Sequence, residues 1–200
     1  MDYSSLSPVQ LDALKEVSNI GTGNAATALS QLLNKKIDMS VPAVNIIPMT
    51  ELFDEIGEEK LAIGVIVRVL GDAPGNILFV FDKDTALGIV ESLTGQKDET
   101  LTDMSSSVLC EIGNIISGSY MNAIFKLTNL VMTPSVPAVT YDMLGAMLST
   151  TFIESGQYDD NVLDFETVFI QDKEKNISGH FYYIPVPGSL EKILNSLGIN

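Results

Sequence analysis

The amino-acid sequence predicts an α/β fold of the α+β type with two similar halves. We expect pseudo-two-fold symmetry and a mostly antiparallel sheet that carries two long helices on one face. Two observations lead to this prediction: the chain contains an internal duplication, and each half has the same order of helical and extended patterns. With 200 residues, of which 46% are hydrophobic, the chain has enough apolar material for a substantial core.

The duplication is visible when the chain is shifted by 95 positions, which sets residues 6–44 against residues 101–139. Of these 39 pairs, 14 are identical, and the pentapeptide Ser-Val-Pro-Ala-Val at 40–44 recurs letter for letter at 135–139. Composition alone would give about two or three identical pairs. The two halves are therefore copies of one unit.

Later matches, such as Gly75 with Gly179, need an offset of 104, so about nine residues were inserted in the second half. The polar stretch 154–161 is the natural place for this insertion. We interpret residues 1–200 as a single domain, with one repeat over about 6–97 and the other over about 101–200.

The first half begins with a helix that runs to about residue 34. Ser7 can cap this helix, Pro8 suits its first position, and Gln10 can complete a capping box. Segments rich in Val and Ile, bounded by Gly and Pro, predict the strands, and Gly95 ends the last helix. The elements that follow are a strand at 37–49, a short helix at 51–56, strands at 60–70 and 75–81, and a helix at 84–93.

The second half repeats this order because it repeats the pattern. Its first helix has the same long apolar periodicity as the first helix of the chain. The predicted elements are a helix at 103–127, a strand at 131–140, a helix at 141–150, strands at 162–171 and 177–185, and a helix at 189–197.

Each long helix carries a polar stripe. At about 100° per residue, one stripe contains Asp12, Glu16, Asn19 and Gly23, and its copy contains Ser107, Glu111, Asn114 and Gly118. The apolar residues lie on the other side, which predicts that a sheet covers that side and that the stripes face solvent or a partner. These apolar residues are Leu11, Leu14, Val17, Ala28 and Leu32 in the first helix, and Leu109, Ile112, Ile116, Ala123 and Ile124 in the second.

The glutamate and the asparagine persist in both copies, whereas neighbouring positions differ, as in Lys15 against Cys110. A solvated helix face has little structural reason to keep both residues, which favours a functional pair. The glycines at 23 and 118 have two interpretations: close packing, or room for another molecule to approach.

Composition excludes several kinds of chemistry. Cys110 is the single cysteine and His180 the single histidine, so no second Cys or His is available to complete a zinc site or a cysteine dyad. We interpret His180 as a structural or surface residue. The net charge of -15 disfavours nucleic acid and anionic membranes as partners. No apolar run approaches the roughly 20 residues of a membrane span, no secretory signal is visible, and we expect a cytoplasmic protein. A glycine-rich phosphate loop with its lysine is also lacking.

A carboxylate and an amide can still promote one kind of hydrolysis. The amide can donate and accept hydrogen bonds and so position a water molecule, while the carboxylate can hold a lysine of a partner. The pair lacks the cations that offset charge at a phosphoryl centre, so the partner must supply them. An aspartyl phosphate that has its own Mg2+ and lysine needs only an oriented water. We expect no cofactor in this chain and Mg2+ in the partner.

The doubled pattern resembles the signature of the CheC family of chemotaxis phosphatases, which includes CheC, CheX and FliY types. In Asp12-x3-Glu16-x2-Asn19, 22 residues separate Asn19 from Pro42, and in Ser107-x3-Glu111-x2-Asn114, 22 residues separate Asn114 from Pro137. The resemblance extends to the element order and length, so it implies a CheC-like fold for the whole chain.

The resemblance implies hydrolysis of the phosphoryl-aspartate of the response regulator CheY. Glu16 and Glu111 would anchor the regulator through its lysine, and Asn19 and Asn114 would orient the water. Asp12 and Ser107 fill the variable first position, while Pro42 and Pro137 have structural roles. The alternative is a flagellar-switch scaffold that binds phosphorylated CheY without turnover.

Two further expectations follow from the resemblance. Some family members bind the receptor deamidase CheD through the helix after the second-half strand, which here would place Asp142 on a helix over 141–147 as a contact. Ile116 replaces Gly21 in the second copy, and we expect this bulky residue beside the second pair to alter access to it.

Overall fold

The computed structural model describes residues 6–34, 36–40, 43–52, 54, 57, 59–156, 161–171 and 175–199. The first half contains α1 (Pro8–Leu33), β1 (Ile37–Ser40), β2 (Val44–Pro48), α2 (Met49–Leu52), β3 (Leu61–Gly71), β4 (Gly75–Phe81) and α3 (Lys83–Thr94). The second half contains α4 (Asp103–Thr128), β5 (Met132–Pro134), β6 (Ala138–Met143), α5 (Leu144–Ser155), β7 (Asn161–Gln171), β8 (Lys175–Pro185) and α6 (Ser189–Ser196).

In the described part of the chain, the strands form one eight-stranded sheet with antiparallel pairing throughout. The strand order is β1-β7-β8-β4-β3-β5. In addition, β2 pairs with β7, and β6 pairs with β3. The pseudo-two-fold axis passes between β8 and β4, the strands that repeat each other's position. The prediction of a mostly antiparallel sheet is confirmed.

The two halves exchange their short strands. β1 and β2 of the first half pair with β7 of the second, where Val44 lies opposite Phe165. In return, β5 and β6 of the second half pair with β3 of the first, where Val139 lies opposite Val65. Each half therefore completes the sheet of the other half.

Helices α1 and α4 pack against each other on one face of the sheet, as predicted. Their apolar sides supply Leu14, Leu109 and Ile116 to a core that also contains Phe79 and Phe181. α3 and α6 contribute to the same core. α5 lies on the opposite face, with its buried side chains against β4 and β8. No helix in the described ranges is long and apolar enough to cross a lipid bilayer.

The start of α1 follows the predicted chemistry. The backbone N–H of Ser7 donates to the Gln10 side-chain oxygen at 2.8 Å, and the Gln10 N–H donates to the Ser7 hydroxyl at 3.4 Å. Thr102 and Ser105 form an equivalent capping box at the start of α4. Both long helices thus have a fixed first turn.

Four local predictions are wrong. The strand predicted at 131–140 is two strands, β5 and β6. The strand predicted at 37–49 is two strands, β1 and β2, and residues 41–42 between them lie outside the described residues. The helix predicted at 141–150 begins only at Leu144, because Tyr141–Met143 continue β6 and pair with β3. Leu32, which was predicted on the covered apolar side of α1, is 54% exposed. The short helix predicted at 51–56 is present as Met49–Leu52, and part of that range lies outside the described residues.

Candidate functional site

Both polar stripes lie on the outer sides of α1 and α4. The side chains of Glu16, Asn19, Glu111 and Asn114 are all exposed. Leu14, Val17, Leu109 and Ile112, on the other sides of the same helices, are buried. The periodicity therefore placed these pairs on the correct faces.

The four side chains have unused hydrogen-bonding capacity. Among the residues that the structure describes, none makes a side-chain hydrogen bond or ion pair with these two glutamates or two asparagines. A carboxylate can accept and an amide can both donate and accept, so each pair is open to an incoming molecule.

An open groove of about 560 Å³ runs beside the second pair. Its helical wall is formed by residues of α4, and its other wall is the connection from β5 to β6. The lining residues are Ser106, Ser107, Cys110, Glu111, Asn114 and residues 134–139. The groove therefore brings Pro137 of the signature to the glutamate and the asparagine.

Pro137 fixes the outer wall of this groove against α4. Its carbonyl oxygen accepts a hydrogen bond from the Cys110 thiol at 3.4 Å. Burial raises the pKa of the Cys110 thiol, so the proton that this bond needs is retained. A Cβ atom at Gly113 would lie 2.7 Å from Val65 Cγ1 and 3.8 Å from Pro137 Cβ, so the helix approaches the sheet closely here. Pro137 shapes the groove and presents no reactive group.

A smaller groove of about 280 Å³ lies beside the start of the first stripe, and neither Glu16 nor Asn19 is among its described lining residues. It is lined by Pro8, Leu11, Asp12, Lys15, Ala43 and Val44. Lys15 stands where the second copy has Cys110, so one groove has a cation where the other has a thiol. Pro42, the signature proline of this half, lies outside the described residues.

The glycines of the stripes are not required by packing within the described protein. A Cβ atom at Gly23 or Gly118 would meet nothing within 4 Å. The interpretation that close packing requires them is therefore wrong, and the open space favours the approach of another molecule. Gly21 differs, because a Cβ atom there would lie 3.0 Å from the Cα atom of Tyr120.

Ile116 does not flank the second pair. It is 2% exposed and belongs to the core between the helices and the sheet. Position 116 is about 200° around the helix from Asn114, which turns it inward. The expectation that Ile116 alters access to the second pair is wrong.

Asp142 lies on β6 and not on a helix. Its side chain is exposed, and its Oδ1 accepts a hydrogen bond from the Met143 N–H at 2.8 Å. The expected helical position was wrong because β3 offers backbone partners to residues 138–143. His180 lies on β8 with Nδ1 at 3.5 Å from Asp164 Oδ1, away from both grooves.

Two groove residues were missed by sequence reasoning. Cys110 was set aside because it differs between the repeats, and Val136 was only one letter of the repeated pentapeptide. The identical pentapeptide was a usable signal, since it marked the loop that forms the groove wall. Among the described residues, no group of three or more His, Cys, Asp or Glu is placed to hold a metal ion.

Known proteins match this chain over the segments that carry the signature and over nearly its whole length. The profile of the CheC-like family matches residues 9–46 and 104–141, which contain the two stripes and both pentapeptides. The CheY-P phosphatase CheC of Bacillus subtilis is 36% identical over 203 residues, covering 98% of this chain and 97% of that protein. The chain belongs to the CheC-like family.

Two further similarities are to proteins named FliY. The flagellar motor switch phosphatase FliY of Bacillus subtilis is 32% identical over 142 residues, covering 69% of this chain and 37% of that protein. The crystal structure of Thermotoga maritima FliY has a TM-score of 0.78 at 22% identity, covering 97% of this chain and 98% of that one. The latter similarity concerns the fold, and it confirms the predicted CheC-like fold.

Proposed function

We propose that this protein hydrolyses the aspartyl phosphate of the chemotaxis response regulator CheY. The observation that carries the proposal is the duplicated, exposed Glu/Asn pair, whose side chains make no hydrogen bond to the described part of the chain. The substrate is taken from the full-length similarity to a protein named as a CheY-P phosphatase. The protein would act in the cytoplasm, together with its regulator.

In the proposed mechanism the asparagine positions the nucleophile. The side-chain oxygen of Asn19 or Asn114 accepts a hydrogen bond from a water molecule and aligns it with the phosphorus atom. Attack of this water breaks the bond between phosphorus and the aspartyl oxygen. The products are inorganic phosphate, which retains the protons of the water, and the free aspartate carboxylate of the regulator.

The glutamate has a separate task in this proposal. Glu16 or Glu111 pairs with the active-site lysine of the regulator and so fixes the orientation of the complex. The regulator contributes Mg2+ and the lysine, which offset the charge at phosphorus, and the phosphatase needs no cofactor of its own. Asp12 and Ser107, one turn before the glutamates, line the grooves and form part of the same surface.

The receptor deamidase CheD is a proposed second partner, and it rests on the family resemblance. Asp142 offers it an exposed carboxylate on β6. A pull-down with Asp142→Lys tests this contact: loss of CheD binding supports it, and binding equal to that of the wild type removes it.

A binding module of the flagellar switch is the second candidate function. It is favoured by the similarity to FliY, whose name includes the motor switch. Such a module would bind phosphorylated CheY through the same stripes without accelerating loss of the phosphoryl group.

Phosphate release from CheY decides between the two. CheY is kept phosphorylated by a small phosphodonor with Mg2+, and substoichiometric protein is added. We expect faster steady release with the wild type, partial loss with Glu16→Gln/Asn19→Ala or Glu111→Gln/Asn114→Ala, and complete loss with all four changes. Asn122→Ala, at another exposed asparagine of α4, is the matched control and should be fully active. Full activity in the quadruple variant would show that these residues are not catalytic.

A further inference from the structure

Val136 is an exposed apolar side chain at the edge of the second groove. At 89% exposure it is more exposed than any other large hydrophobic residue in the described ranges. It lies in the connection between β5 and β6 and lines the same groove as Glu111 and Asn114. An apolar side chain in such a position is available to a molecule that enters the groove.

The loop around Val136 is held in place by its neighbours. The backbone N–H of Ser135 donates to the Arg68 carbonyl at 2.8 Å, and the Ser135 hydroxyl accepts from the Arg68 N–H at 3.0 Å. Pro137 accepts from the Cys110 thiol on the other side. The loop is thus attached to both β3 and α4, and it presents Val136 to solvent in a fixed orientation.

Val136 has no packing role that explains its persistence in the duplication. The Ser135 hydroxyl attaches the loop to β3, and Val139 packs against the main core. The pentapeptide is nevertheless identical in both repeats, although only 14 of 39 aligned pairs are identical. Its first-half counterpart, Val41, lies outside the described residues, so the comparison of the two positions rests on sequence identity alone.

Each stripe also has an exposed apolar residue near its beginning. Met104 precedes Ser107 by three residues and Glu111 by seven, which places it on the same helix face. Met104 and its counterpart Val9 are each 63% exposed. Each polar pair is thus accompanied by an apolar residue in the first helical turn, as expected for an interface that combines apolar contacts with polar ones.

We propose that Val136 and Met104 are docking residues, which contact apolar surface of the phosphorylated regulator beside its phosphorylated aspartate. This inference rests on the proposed function, because it takes the regulator as the molecule that enters the groove. Burial of these side chains would add affinity and orient the regulator, while Glu111 and Asn114 act at the lysine and the water. They are positioning residues and touch no reacting atom.

The test uses the full chain with the first pair disabled by Glu16→Gln/Asn19→Ala, so that only the second groove turns over. Steady-state phosphate release is measured against the concentration of phosphorylated CheY. Val136→Ser should raise KM about tenfold with kcat unchanged, because the lost burial affects docking and not chemistry. Met104→Ser should raise KM about fivefold. Val136→Ile should leave KM within about twofold of the value for the protein that carries only Glu16→Gln/Asn19→Ala.

Ile153→Ser is the matched control, because Ile153 is also aliphatic, is 79% exposed and lies on α5, on the opposite face of the sheet. Its KM should not change. If Val136→Ser has the same KM as Ile153→Ser, Val136 is not a docking residue.

A binding titration separates this inference from the proposed function. CheY activated with beryllofluoride and Mg2+ is titrated with each variant. Weaker binding by Val136→Ser supports docking even if the wild type shows no turnover, in which case only the proposed hydrolysis fails. Unchanged binding and unchanged KM, in a protein that turns over through Glu111 and Asn114, overturns the docking role and leaves the proposed function standing.

Discussion

The hydroxyl oxygen of Tyr120 lies 2.7 Å from the hydroxyl oxygen of Thr22, where α1 and α4 meet. The ring of the same tyrosine covers Gly21. This glycine corresponds to Ile116 in the second repeat, so the two repeats differ at this position. Tyr120 also stacks on Phe181 of the sheet, with ring centroids 4.7 Å apart. One side chain therefore joins both long helices to the strand layer.

Gly21→Ala should destabilise the protein, although alanine is the better helix former. The new Cβ atom would lie 3.0 Å from both Cα and Cγ of Tyr120, and the Cα atom cannot move without displacing α4. We expect the free energy of unfolding to fall by about 1–3 kcal/mol. Urea denaturation followed by circular dichroism measures the change.

The matched control for this variant is Gly23→Ala on the same helix. Nothing lies within 4 Å of its Cβ position, so the helical preference of alanine should raise the free energy of unfolding by up to about 1 kcal/mol. Equal effects of the two substitutions would show that contact with Tyr120 does not determine the choice of glycine at position 21.

A small apolar cavity of about 40 Å³ lies between α1, α4 and the sheet, lined in part by Val17, Tyr120 and Phe165. Val17→Ile adds one methyl group toward this space and should raise the free energy of unfolding by about 0.5–1 kcal/mol. Thermal and urea denaturation report the gain. Val67→Ile, at a fully buried position that does not line the cavity, should instead lower stability, since the added methyl group has no space.

The pH dependence of stability should include a contribution from Asp72. The Val131 N–H, which donates to its carboxylate at 2.8 Å, lowers the pKa of Asp72, and Lys192 lowers it further. A folded-state pKa below the unfolded value of about 3.9 means that this contribution is present above that value and is lost as pH falls through the folded pKa.

Asp72→Asn should therefore be less stable than the wild type near pH 7, and the difference should shrink as pH falls below about 4. Denaturation of both proteins across this range, at constant ionic strength, measures the difference. A difference that is independent of pH would mean that the ionised carboxylate is not the source of stability.

The strand exchange predicts that neither half folds alone. A fragment of residues 1–99 lacks the β7 partner of β1 and β2, and a fragment of residues 100–200 lacks the β3 partner of β5 and β6. As a monomer, each fragment should show no cooperative unfolding transition, whereas an equimolar mixture should recover the circular dichroism spectrum of the intact chain. A half that unfolds cooperatively as a monomer would contradict this prediction.

The sequence was sufficient for features that depend on local periodicity. The predicted helix at 103–127 differs from α4 by one residue, and the strand at 75–81 coincides with β4. The partners of the short strands could not be predicted, because the repeat is equally compatible with pairing inside a half or between halves. Residues 141–143 illustrate this limit, since the free edge of β3, and not their own pattern, makes them a strand.

In the candidate site too, the features set by a single helix could be predicted, and those set by packing between elements could not. The exposure of Glu16 and Glu111 followed from helical spacing, which is a property of one element at a time. The bond between Cys110 and Pro137 joins positions 27 residues apart and depends on how α4 lies against the β5–β6 connection, which no local pattern encodes. Val136 became visible only through its exposure in the folded chain.

The crossed strands have a consequence for how such a molecule can arise. A polypeptide with a single repeat could satisfy the same backbone pairings only by associating with a second copy, so the present chain is equivalent to a homodimer whose subunits have been fused. Fusion makes the assembly independent of protein concentration and removes the requirement for identical sites. The lysine at 15 and the cysteine at 110 are a difference that a symmetric dimer of one gene product could not carry.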